Sequence, residues 1–257
     1  MNESLATYDF YGYALLALLG TLVAVAGLLW WMNRSPWRHG LQRLHGVAPP
    51  FLNVIGVLFG LTLAFIANDT WSAHDKANHA VHREADALRS LRLLGEPLAE
   101  PQRGALQQLL QTYARSSAAE WEALALRRSH PSVQASADAI LRLVADPRTA
   151  QAVGPQVQAQ MLRKATELRE ERSLRVALSQ LHVNPLKWLG MAFLGWLTLL
   201  SIAAVHLDNR RAAALALTLF ALSAGPTAAI VLIQGNPFQP PSFVSPAPIL
   251  ATLRDPT

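Results

Sequence analysis

From Phe51 to Leu94 the chain reads FLNVIGVLFGLTLAFIANDTWSAHDKANHAVHREADALRSLRLL, and this stretch decides the fold. Its first part, Pro50 to Ile66, is apolar throughout and long enough to cross hydrocarbon about 30 Å thick, which takes ~17–25 residues at ~1.5 Å rise each. Its second part is charged but keeps a helical period. Ala73, Ala77, Ala80, Glu84, Ala87, Leu91 and Leu94 fall on one stripe that is apolar except at Glu84. No proline interrupts the stretch, and Gly56 and Gly60 are its only glycines. The pattern therefore predicts one continuous helix that leaves the membrane near Asn68 and runs on.

Three further apolar stretches, Tyr11 to Met32, Pro185 to Val205 and Ala212 to Ile233, meet the same length criterion. The fold class expected is all-α: an integral membrane protein with four transmembrane helices and a helical-bundle insert between the second and third, the second span continuing into the insert. The corresponding divisions are 1–68 for the first transmembrane pair, 69–184 for the extramembrane bundle, 185–234 for the second pair and 235–257 for an extended C-terminal tail.

Composition agrees with this reading. The chain of 257 residues is 51% hydrophobic and 15% charged, against about 25% charged in soluble domains. Of its 22 Lys and Arg, 16 lie between Asn68 and Trp188, together with most of the acids. The net charge of +5 is thus spread over a mixed-charge module, with no basic cluster interleaved with aromatics, and nucleic acid is not an expected partner. Cysteine is absent, which removes disulfides, thiolate metal sites and thiol nucleophiles. The N-terminal segment carries Glu3 and Asp9 and no basic residue ahead of a long apolar run, so it reads as a retained span rather than a signal peptide.

Within the insert, Pro97 ends the long helix. Beyond Pro101 a second helix places Leu106, Leu109, Leu110, Tyr113, Ser117, Trp121 and Leu124 on one face, and His130-Pro131-Ser132 stops it. A shorter helix follows around Ala137 to Val144. Asp146-Pro147 and Gly154-Pro155 then interrupt the pattern before a helix from Val157 to Leu181 that buries Met161, Ala165, Leu168, Leu174, Leu178 and Leu181. Short connections between amphipathic helices favour an antiparallel bundle. In the last apolar stretch Gly225-Pro226 predicts a kink or break.

Asn53, Gly56, Gly60, Ala64 and Ala67 form a small-residue stripe on the second span. Such a face either lets helices approach closely or lines a narrow conduit. Asn53, Thr62 and Asn68 are unwelcome toward lipid. Asp69 ends the span as a boundary carboxylate, either a solvated helix end or a group facing an aqueous path. Asp75, His79, His82 and Asp86 share one face just beyond, which reads as a solvated face or as a pH- or metal-responsive one. Glu84, inside the apolar stripe, needs a cationic partner if buried; Arg169, Arg172 and Arg175 are the candidates, and a structural pair of Glu84 with Arg172 is the expectation. No phosphate loop, nucleophile elbow or paired-His zinc signature is present, so no enzyme, cofactor or metal centre is predicted.

Sidedness is read two ways. Trp30, Trp31 and Trp37 with Arg34, Arg38 and Arg43 make an aromatic belt and a basic loop, and Arg210 and Arg211 lie in the other tight connection. By the rule that Lys and Arg of short loops stay cytoplasmic, the insert and both termini lie outside the cytoplasm. Lys76, Arg83, Arg169, Arg172, Arg175 and Lys187, near the membrane ends of the insert, pull the other way.

The run Gly56-Val57-Leu58-Phe59-Gly60-Leu61-Thr62-Leu63-Ala64-Phe65, followed by Asn68, Trp71 and Glu84-Ala85, resembles the bestrophin-like family of bacterial membrane proteins. Tyr113 with Glu120-Trp121, Arg172 to Arg175, Pro185 to Trp188, Asn236-Pro237-Phe238 and Ser245-Pro246 extend the resemblance in order along nearly the whole chain after Pro50. Gly235 departs from it, standing where the family often has an acid. The resemblance, and the more distant one to bestrophins, implies a multi-pass protein of the bacterial inner membrane. It also implies a ring-shaped, pentameric anion channel whose second membrane helix lines the pore, with the lipid bilayer, copies of itself and permeating ions as its partners. It puts the insert in the cytoplasm, against the short-loop count. The pore-lining set would be Asn53, Gly56, Gly60, Ala64, Asn68 and Asp69, with an Asp69 ring favouring cations. The acidic calcium cluster of animal bestrophins has no counterpart. The alternative is a non-conducting receptor or scaffold whose insert binds a partner.

Overall fold

A computed structural model describes residues 3–34, 48–180, 185–240 and 243–254, with side chains described for these except at 3–10, 33 and 48–50. Trp37, Arg38, Arg43 and Leu181, and the side chains of Pro49 and Pro50, lie outside the described set. Every regular element in it is helical: α1 (Glu3–Arg34), α2 (Ala48–Leu94), α3 (Gln102–Ala119), α4 (Trp121–Ala125), α5 (Pro131–Ala145), α6 (Pro147–Val153), α7 (Pro155–Ser179), α8 (Pro185–Val205), α9 (Arg210–Ile233) and α10 (Ala247–Ala251). The protein is all-α, and four of its helices are long and apolar enough to cross a membrane.

The chain separates into two compact units. The first comprises Met1–Trp71 and His182–Gly235, the second Ser72–Leu181 and Asn236–Thr257. α2 is one unbroken helix of 47 residues that contributes to both.

In the first unit the apolar helices meet along narrow seams. Val25 and Leu28 of α1 pack with Leu199, Ile202, Leu217 and Ala221, while Leu63, Ile66 and Ala67 of α2 pack with Met191, Ala228 and Val231. Two small residues permit close approach. A Cβ on Gly225 would touch Leu18 and Thr21 of α1, and one on Gly195 would stand 3.2 Å from Phe59. α9 continues through Pro226 as a single helix rather than breaking there. Its N-terminus is capped by the Asn209 side chain, which accepts the Ala212 N–H at 3.1 Å. Away from the seams large side chains are bare, among them Leu186 at 74%, Val23 at 70% and Phe65 at 69% exposure. So much uncovered apolar surface is at odds with water and suited to lipid.

In the second unit the apolar stripe of α2 is the centre of the core. Ala77, Val81, Leu88 and Leu91 pack with Leu106, Leu110 and Tyr113 of α3, Val133, Ile140 and Val144 of α5, and Met161 and Leu168 of α7. The helix boundaries follow their prolines: Pro131, Pro147 and Pro155 each open a helix, where the absent N–H is no loss. Asp146 caps α6 by accepting the Arg148 N–H at 2.8 Å, and Gly154 turns the chain at φ 85°, a conformation open to glycine. The helix after Pro101 ends earlier than its pattern suggests, with Glu120 separating α3 from α4.

The C-terminal segment, expected as an extended tail from 235, is instead part of this core. Phe238, Val244 and Ile249 are buried in it. Trp121 Nε1 donates to the Val244 carbonyl at 2.7 Å, Asn236 Nδ2 to that of Leu124 at 3.2 Å and Gln239 Nε2 to that of Ala125 at 2.8 Å. The Trp121 and Phe238 rings meet edge to face at 5.7 Å.

Candidate functional site

The first half of α2 buries one side and leaves another bare. Leu63, Ile66 and Ala67 face α8 and α9, so Ala67 departs from the small-residue stripe expected of it, whereas Asn53, Gly60, Ala64 and Asn68 are exposed and Gly56 is half-buried. At about 100° per residue these positions, spaced by three or four, fall on one stripe of the helix. A Cβ built on Gly56 or Gly60 would meet nothing within 4 Å. Neither glycine is therefore there to admit another described helix of the same chain. Val57 and Leu61 run alongside and are exposed as well. Trp71 follows in line with the stripe, its indole N–H donating to Gln234 Oε1 at 3.1 Å.

Asp69 stands apart from this stripe. One residue beyond Asn68, it turns by about 100°, and its Oδ2 accepts from Lys187 Nζ at 2.7 Å. Lys187 belongs to the first turn of α8.

Asp75, His79, His82 and Asp86, in the second unit, all lie exposed along one face of α2. Asp86 pairs with Arg89 at 3.0 Å. Among the described residues no group of three or more His, Asp or Glu is disposed to hold a metal ion. The four residues thus share one solvent-facing side of the helix.

Glu84 is fully buried, but its cationic partner is Arg175 and not Arg172. Arg175 Nε reaches Glu84 Oε2 at 3.0 Å and its Nη2 reaches Oε1 at 3.2 Å. The two arginines are three positions apart on α7, close to a full turn, and the one whose side chain enters at the level of Glu84 is the more C-terminal. Arg172 is taken by Glu120 at 2.6 Å and also donates to Gln134 Oε1 at 2.7 Å. Two neutral donors complete the shell of Glu84: Tyr113 Oη at 2.8 Å and Ser117 Oγ at 2.7 Å, the latter itself accepting from Arg175 Nη2. Glu120 Oε2 lies 3.4 Å from Arg175 Nη2, and its Oε1 accepts the His130 N–H at 2.8 Å. The Trp121 ring covers the guanidinium of Arg175, whose Cζ is 4.5 Å from the ring centroid.

Two carboxylates and two guanidiniums thus neutralise one another among α2, α3, α4, α5 and α7. Burial, followed by the negative charge of Glu84, pushes the Tyr113 hydroxyl well above its ordinary pKa. Burial works against the charge on Arg175, but Glu84, Tyr113 and Glu120 outweigh it and hold the guanidinium above its ordinary value. The matching is incomplete: Arg172 Nε, Arg175 Nη1 and Glu120 Oε2 are buried without a hydrogen-bond partner, the last held only by its ion-pair contact with Arg175. The arrangement ties α2, α3, α5 and α7 together in the core of the second unit.

Sequence reasoning anticipated that Glu84 needs a cation and missed Glu120 as a second buried acid. The available signal was Ser117, a polar residue in the otherwise apolar stripe of α3, one turn before Glu120.

Similarity to known proteins agrees with this architecture. No curated protein matches the chain. A single-substitution variant of a bacterial Bestrophin homolog from Klebsiella pneumoniae superimposes with a TM-score of 0.65 at 15% identity, covering 96% of this chain and 98% of that one. A second variant of the Klebsiella pneumoniae homolog gives a TM-score of 0.61 at 15% identity, covering 96% and 97%. A structure described as a membrane protein gives 0.64 at 15% identity, with 96% of each chain covered. At such identities the likeness is one of fold. The family is carried by sequence: the model of the Bestrophin-like domain matches residues 19–249, and the chain belongs to the bestrophin-like family.

Proposed function

We propose that this chain is one subunit of a homo-oligomeric ion channel, multi-pass in the bacterial inner membrane, with α2 around the conduit. One observation carries the reading: the small and polar face of α2, Asn53, Gly60, Ala64 and Asn68, is exposed on the subunit, and Gly56 and Gly60 have open space beside them. A carboxamide turned to lipid leaves its donors and acceptors unsatisfied, whereas on the axis of a ring it is solvated by water and passing ions. Small side chains leave room for that water. Leu15, Leu19, Val23, Phe193 and Leu219 of the other apolar helices, all exposed, suit the lipid side.

The membrane, further copies of the chain and the permeating ion are the implied partners. Five copies is the number given by analogy with bestrophins. Kinship favours anions, and an Asp69 ring would favour cations; the stripe itself is uncharged.

The test is flux through liposomes containing the purified full chain, with subunit number read by native mass spectrometry. Ion flux from a ring of subunits supports the channel. A monomer that passes no ions would instead support a receptor or scaffold anchored by its apolar helices.

A further inference from the structure

Asp69 is the carboxylate on which a cation preference would rest, and Lys187 Nζ lies 2.7 Å from its Oδ2. Both side chains are more than half exposed, at 57% for Lys187 and 58% for Asp69, so the pair is formed at a solvent-facing or headgroup-facing surface rather than in a core. Asp69 directly follows Asn68, the last polar residue of the stripe, which places its charge within one Debye length, ~8 Å at physiological ionic strength, of the stripe's end. A lone carboxylate there would be felt by an ion leaving or entering. Paired at hydrogen-bond distance with an ammonium, it acts as a short dipole, whose field falls off faster than that of a charge. Asn68 contributes a neutral amide, and Trp71 is engaged with the neutral carboxamide of Gln234.

We propose that Lys187 is a selectivity-determining residue: by neutralising Asp69 it removes the cation preference a ring of aspartates would impose at the end of the stripe. This rests on the channel reading above. Discrimination between ions of opposite sign is then left to the uncharged stripe and is small.

The experiment measures reversal potentials of the full chain in planar bilayers under a potassium chloride gradient. Lys187→Met is expected to raise the potassium-to-chloride permeability ratio severalfold by exposing Asp69, and Asp69→Asn to lower it severalfold by exposing Lys187. The charge swap Asp69→Lys with Lys187→Asp should return the wild-type ratio. Lys187→Arg keeps the charge and should leave the ratio unchanged; a shift as large as that of Lys187→Met would mark displacement of α8 and overturn the proposal. An unmoved reversal potential in Lys187→Met, or shifts of the same sign in both single variants, also overturns it while leaving the channel reading intact. A wild-type chain that passes no current removes the channel reading itself and this proposal with it.

Discussion

Arg175 grips both carboxylate oxygens of Glu84, at 3.0 Å through Nε and 3.2 Å through Nη2, with neither side chain exposed to solvent. Two charges withdrawn this far from water are tolerable only together. Arg175→Met should destabilise the protein by about 3–5 kcal/mol, because it strands Glu84 in an apolar core. Adding Glu84→Leu to Arg175→Met is expected to recover part of that loss, although Glu120 then keeps only Arg172. A double-mutant cycle on thermal or denaturant unfolding in detergent checks this, and a double variant less stable than Arg175→Met alone refutes it.

Tyr113 gives the same network a dependence on alkaline pH. Its hydroxyl donates to Glu84, and its folded pKa is raised by burial first and by that carboxylate second. In the unfolded chain the phenol ionises near pH ~10, while the folded state still holds the proton. The stabilisation is therefore fully present below about pH 10 and is lost as pH rises through the folded value. Tyr113→Phe removes a hydrogen bond to a charged group, a cost of about 1.5–3 kcal/mol at neutral pH. The gap in melting temperature between wild type and Tyr113→Phe should narrow between pH 8 and pH 11. A constant gap contradicts the assignment.

Gly60 separates stability from conduction. Because a Cβ there meets nothing within 4 Å, Gly60→Val should change the stability of the subunit by less than about 1 kcal/mol. On the channel reading the same substitution narrows the conduit in every subunit, and single-channel conductance should fall severalfold. Conductance equal to wild type in a correctly assembled Gly60→Val protein would take Gly60 out of the pore lining.

Gly95 marks the opposite situation. It follows the end of α2, and a Cβ on it would run into the Leu106 side chain and lie 3.1 Å from the Leu91 carbonyl. Gly95→Val should cost about 1–3 kcal/mol by overpacking, seen as a lower unfolding midpoint. Leu106→Ala in the same chain should relieve part of the clash.

What the sequence made legible was the part governed by period and punctuation. The unbroken run from Phe51 to Leu94, with no proline, left helix as the only continuous solution, and α2 has that form. Pro131, Pro147, Pro155 and Pro185 each begin a helix because proline closes off what precedes it. The choice of Arg175 over Arg172 was not legible, since both arginines lie on the same helix and only the rotation and height of α7 against α2 decides between them. The place of Phe238, Val244 and Ile249 was hidden for a related reason: a Pro-rich segment has no period from which burial can be read. For the candidate site, the small stripe was visible by spacing, but its exposure depends on which side of α2 is taken by α8 and α9. Likewise nothing local pairs Asp69 with Lys187, 118 positions away.

The burial of the C-terminal segment also bears on the order of events during synthesis. Trp121 finds its acceptor at Val244, 123 positions later, and Arg92 donates to the Thr252 carbonyl, 160 positions later. Both apolar helices α8 and α9 lie between those partners in the chain. A nascent chain can therefore bring Val244 and Thr252 to their partners only after α8 and α9 have been synthesised. Until then Trp121 lacks the acceptor that the Val244 carbonyl provides. Completion of this core therefore waits on the synthesis of both α8 and α9.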